Sequence, residues 1–67
     1  MINLDKIKNG ISEQIINTID LAANKGDKAL LEVWIQDCKS EIEIYEEQKL
    51  NSYKLKLELA YLEMVLV

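Results

Sequence analysis

Proline, histidine, arginine and phenylalanine are absent from this 67-residue chain, cysteine occurs once and glycine twice. Each absence excludes something. The single cysteine, Cys38, cannot form an intrachain disulfide, and a lone thiol in so short a chain fits a reducing, cytoplasmic setting. One cysteine without histidine cannot complete a four-ligand zinc site. All eight positive charges are lysines, set against twelve acids for a net charge of −4. Phosphate contacts need clustered Lys or Arg, and bidentate reading of guanine needs the arginine fork, so a nucleic-acid partner is not expected. Long hydrophobic runs are also missing. No charge-free apolar stretch is longer than the four residues of 64–67, far short of the roughly 20 residues of a membrane-spanning helix, and residues 1–10 mix charge with apolar residues with no continuous apolar run after them, so no signal peptide is expected.

With only Gly10 and Gly26 to interrupt it, a chain this rich in Leu, Ile, Glu, Lys and Ala is expected to be all-α. Apolar spacing locates the helices. Asn3 can cap a first helix in which Leu4, Ile7, Ile11, Ile15, Ile19 and Ala22 recur every three or four residues. Gly10 falls opposite that stripe, on the solvent side, and is read as tolerated within one helix. The alternative is a break at Asn9-Gly10, with the main helix starting near Ser12. Lys25-Gly26-Asp27 is the clearest punctuation: Gly26 suits a left-handed C-terminal cap, and Asp27 can accept the first free amides of the next helix. The result is a helical hairpin. Its second helix carries Leu31, Trp34, Ile35, Cys38, Ile42 and Tyr45 on one face and Glu32, Gln36, Lys39, Glu43, Glu46 and Glu47 on the other. Trp34 and Tyr45, on the main stripe, are expected in the core.

Beyond Lys49 the stripe would present Lys49, Lys56 and Glu63 if the helix ran on at about 100° per residue, so the chain must turn or divide there, and the spacing leaves open whether 50–67 is a separate helix or continues the second. Asn51-Ser52 can cap a third helix with two apolar sides, Leu55, Leu59, Leu62 and Leu66 on one and Leu50, Tyr53, Leu57, Tyr61 and Met64 on the other. A two-faced helix needs neighbours on both sides, which one small chain can hardly supply. The second set is therefore the candidate interface of a homo-oligomer, most simply a dimer with a bundle-like core. The period-two alternation of 53–59 also suits a strand, but Leu, Lys and Glu favour helix and no second strand is available to pair with it. A single domain over 1–67 follows.

Little in the chain promises chemistry. Cys38 has no histidine to activate it and lies on an apolar face, where a thiol is ordinary packing. Asp37 and Glu41, beside Trp34 and Tyr45, have the spacing of an acid–base pair, but carboxylates so placed more often bond an indole N–H or a tyrosine hydroxyl. Glu41, Glu43, Glu46 and Glu47 lack the spaced oxygen ligands of a cation loop. No phosphate-binding loop, triad or nucleotide fingerprint is present, no residue motif ties the chain to a family, and no cofactor or metal is expected. Six acids, Glu32, Asp37, Glu41, Glu43, Glu46 and Glu47, oppose Lys28, Lys39 and Lys49 over 28–50. The acidic face of Glu43, Glu46 and Glu47 is thus a candidate for steering to a basic protein, in the extreme as a nucleic-acid mimic. The expectation is a non-enzymatic protein–protein interaction module, an adaptor, regulator or inhibitor acting as a homo-oligomer. A structural subunit of a homo-oligomer is the further alternative.

Overall fold

In the computed structural model, which describes Ile7 and residues 9–66, three helices form: α1 (Glu13–Asn24), α2 (Lys28–Glu47) and α3 (Tyr53–Leu66). Leu4 and the Asn3 cap lie outside the described residues. The all-α expectation holds, and no strand occurs among the described residues. The 20 residues of α2 span about 30 Å at 1.5 Å per residue, within a molecule whose longest dimension is 36 Å. α3 packs most extensively along α2, and α1 touches both.

The break between α1 and α2 falls where the cap chemistry places it. Gly26 is left-handed, with φ 72°. Its N–H donates to the Ala23 carbonyl at 3.1 Å, and the N–H of Asp27 donates to Ala22 at 3.0 Å. These two bonds satisfy the last carbonyls of α1. The Asp27 side chain then accepts from the N–H of Leu30 at 3.1 Å and caps α2. One three-residue turn closes one helix and opens the next.

Gly10 is not inside a helix. It occupies a turn, and α1 starts at Glu13 after Ser12, whose carbonyl accepts the first helical bond from Ile16 at 3.0 Å. The Asn9-Gly10 break is thus the correct alternative. Nor does Gly10 face solvent: a Cβ built there would run into Leu57 Cδ1 on α3. The absence of a side chain lets the segment before α1 lie against α3, with Ile7 buried beside it.

The core consists of Ile7, Ile19, Ala22, Leu31, Ile35, Cys38, Tyr61 and Leu62. Ile19, Leu31 and Leu62 are fully enclosed, and at about 1.5–3 kcal/mol each such side chains supply much of the stability of a small fold. The core face of α2 fades along its length. Leu31, Ile35 and Cys38 are buried and Trp34 and Ile42 half-buried, but Tyr45, expected in the core, is 37% exposed. The last turns of α2 extend past α1, which is only 12 residues long.

The second apolar side of α3 finds neighbours within the same chain only in part: Leu57 and Tyr61 do, while Leu50, Tyr53 and Met64 stay exposed. Leu57 meets Gly10 and Tyr61 reaches Asp20 on α1. Elsewhere around α3, Glu58 bonds Trp34 and Lys56 pairs with Glu46, both on α2. A helix in the angle between two others needs apolar residues over more than half its circumference. That requirement explains a pattern with no single stripe.

Candidate interaction surface

The turn between α2 and α3 is built like the one before α2, with a costlier residue at its centre. Lys49, at φ 57°, is the one non-glycine residue with positive φ among the described residues. Its N–H donates to Glu46 at 3.1 Å, and the N–H of Leu50 donates to Tyr45 at 2.8 Å, the same pair of bonds that closes α1. Asn51 Oδ1 accepts from the N–H of Tyr53 at 2.9 Å, and the carbonyl of Ser52 accepts the first helical bond of α3 from Lys56 at 3.0 Å. Asn51-Ser52 does cap a separate third helix. This reversal leaves Leu50 52% exposed and Tyr53 54% exposed. Tyr45 and Tyr53, with Asn51, Lys54 and Leu55, line one shallow hollow of about 400 Å³ at this corner.

The five interface candidates divide. Leu50, Tyr53 and Met64 are exposed. Leu57 packs against the core, and Tyr61, expected on the outer face, is buried. Sequence spacing placed Tyr61 about 80° from Tyr53 around the helix, near enough to share a stripe but also near enough to turn inward beside α1. The hydroxyl of Tyr61 donates to the carboxylate of Asp20. Burial first, then the bond to Asp20 and the charge of Asp20, push the phenol up to about 12. The exposed apolar surface is therefore narrower on α3 than the sequence suggests. It gains Ile44 and Tyr45 from the end of α2.

No family model, curated protein or solved structure matches the chain. Surface and core chemistry are thus the guide to function.

Glu43, Glu46 and Glu47 are all exposed on α2. Glu46 pairs with Lys56 at 3.3 Å, each side chain more than half exposed, a geometry worth less than about 1 kcal/mol. Asp37 and Glu41 are exposed and bond neither Trp34 nor Tyr45. The acceptor for the indole is Glu58, from the facing helix, with Trp34 Nε1 donating to Oε1 at 3.1 Å. Glu58 was hidden in the sequence among the alternating residues of 53–59. The only signal available was that a half-buried indole N–H requires an acceptor somewhere. Cys38 is buried at 3% exposure beside this pair. Burial, then the carboxylate of Glu58, which also accepts a hydrogen bond from the thiol, and the nearby Glu41 and Asp37 push Cys38 up to about 12. At neutral pH the buried thiol is therefore protonated, the state expected of a packing residue. No group of three metal-ligating side chains occurs among the described residues, and no helix there is long and apolar enough to cross a membrane.

Proposed function

We propose that this protein is a small helical interaction module that acts as a homo-oligomer and works by binding protein, not by catalysis. The observation that carries this reading is the exposure of Ile44, Tyr45, Leu50, Tyr53 and Met64 on α2, the α2–α3 turn and α3, each more than a third exposed. A monomer of this size seldom leaves so much apolar surface in water unless it is used for contact. Aromatics are the side chains best suited to anchor such a contact, because they bury large area at low entropic cost. Light scattering coupled to size exclusion, run over a concentration series, tests the reading. A mass above that of one 7.7 kDa chain, reduced by Leu50→Glu together with Tyr53→Glu, is the expected outcome. A folded protein that stays monomeric throughout would overturn it.

A second reading, docking of a basic protein on Glu43, Glu46 and Glu47, is favoured by one observation. α2 carries six acids against two lysines over Lys28–Glu47, a local charge of 2 minus 6, equal to the net charge of the entire chain. Binding of that kind would weaken steeply with salt.

A further inference from the structure

The lysines of this chain are unevenly placed. Lys49, Lys54 and Lys56 fall within 49–56, which contains no acid, and all three are exposed. Glu46 and Glu47 precede them, and Lys56 pairs with Glu46 at 3.3 Å. Residues 46–56 thus keep a local charge of 3 minus 2, or +1, in a chain whose total is −4. Among these lysines stand Leu50 and Tyr53, 52% and 54% exposed. The first half of α2 carries the complementary chemistry. α3 folds back along α2, and where its last turns lie beside that half a hollow of about 790 Å³ opens. Val33, Ile35 and Leu66 give it an apolar lining, and Glu32, Asp37 and Glu63 stand around it against a single lysine, Lys39, a local charge of 1 minus 3. The hollow at the α2–α3 turn, by contrast, is lined by Lys54 and no acid.

We infer, on the reading of this protein as a self-associating module, that copies join head to tail: the α2–α3 turn of one copy, with Leu50 and Tyr53, seats in the hollow between α2 and α3 of the next. Its lysines then face Glu32, Asp37 and Glu63, and apolar side chains that each copy leaves in water meet one another. A symmetric pairing of two turns would gather the lysines of both copies around one contact and leave the acidic hollow unused. A turn cannot fill the hollow of its own chain, because Glu32 and Glu47 lie about 22 Å apart along α2 at 1.5 Å per residue. The occupant is therefore a second copy. Since the two joined surfaces differ, each added copy presents a free turn at one end and a free hollow at the other. Association continues as an open series unless the rotation between neighbours closes a ring.

Sedimentation velocity on the full chain at low salt, from micromolar to near-millimolar protein, tests this with two variants that block opposite ends. Glu32→Lys with Glu63→Lys blocks the hollow, and Leu50→Ser with Tyr53→Ser strips the turn. All four side chains are exposed, and circular dichroism checks that both variants stay helical. The unmodified protein should reach masses beyond two chains, and added salt should reverse this. Each variant alone should associate about tenfold more weakly or less still. Mixed, the two should form a one-to-one pair and nothing larger, because only the turn of the first and the hollow of the second remain intact. An unmodified protein that stops at two chains, a hollow variant that associates undiminished, or a mixture that forms no pair would overturn the head-to-tail contact and leave self-association standing. A monomer at every concentration would overturn both.

Discussion

Two buried protons, the phenolic proton of Tyr61 and the thiol proton of Cys38, link the stability of this fold to alkaline pH. Their ordinary values are 10.0 and 9.0, and both are pushed up to about 12. A raised value in the folded state means that folding favours the protonated form. The contribution is therefore fully present below pH 9 and is lost as pH climbs from about 9 through about 12. Urea denaturation across the alkaline range should show stability level near neutrality and falling beyond pH 9. Tyr61→Phe should cost about 1–2 kcal/mol at neutral pH, because a half-buried Asp20 loses its donor, and should flatten part of the alkaline decline. If Tyr61→Phe leaves both unchanged, the hydroxyl is not bound as described. The hydroxyl's partner could not be read from sequence: Asp20 lies 41 residues away, on a helix whose facing is fixed only by packing.

The two helix-ending turns make a matched pair with different central residues. Gly26 and Lys49 adopt nearly the same left-handed conformation, φ 72° and 57°, and nothing lies within 4 Å of a Cβ placed on Gly26. Substitution at Gly26 therefore meets no clash, and its cost is that of the backbone conformation alone. Gly26→Ala should lower stability by about 1 kcal/mol, Gly26→Asn by less and Gly26→Val by more, since Asn tolerates this region and β-branched residues resist it. Lys49→Gly should do the reverse and raise stability by about 0.5–1 kcal/mol. Thermal unfolding of the four variants checks the ranking, and a destabilising Lys49→Gly would contradict it. The first turn was legible in the sequence because glycine and a capping aspartate stand together there. At the second, the charges falling on the old stripe signalled a turn, but lysine gave no sign of the conformation it holds.

Across the whole molecule, the contact of Gly10 with Leu57 decides how the segment before α1 closes over α3. Gly10→Ala forces the end of the Leu57 side chain aside, and a loss of about 1–3 kcal/mol is expected from such overpacking. Leu57→Ala is itself destabilising, through lost packing. In that background Gly10→Ala should cost almost nothing, because the atom it meets is gone. The four proteins form a double-mutant cycle, and simple additivity would refute the contact. The same contact shows why Gly10 was misplaced on the sequence. Helical periodicity assigns every residue of 4–22 to one continuous cylinder, and on that cylinder Gly10 points outward. Once the chain turns at Gly10, the projection no longer applies.

The sequence by itself determined the helical class, the α1–α2 break at Gly26-Asp27, the presence of a turn or division past Lys49, and the burial of Ile19, Leu31, Ile35 and Cys38. All of these follow from local chemistry: the period of a helix, the φ that glycine adopts without strain, and the reach of a capping side chain to an amide two or three residues on. Only the tertiary structure decided that α3 fits in the angle between α2 and α1, that Tyr61 turns inward to Asp20 while Tyr45 stays outside, and that Glu58 answers Trp34. Those outcomes depend on which helix ends where relative to another. Apolar residues on two sides of a helix demand two neighbours, but whether the neighbours belong to the same chain is set by the length of the partners and the reach of the turns between them, and periodicity carries neither.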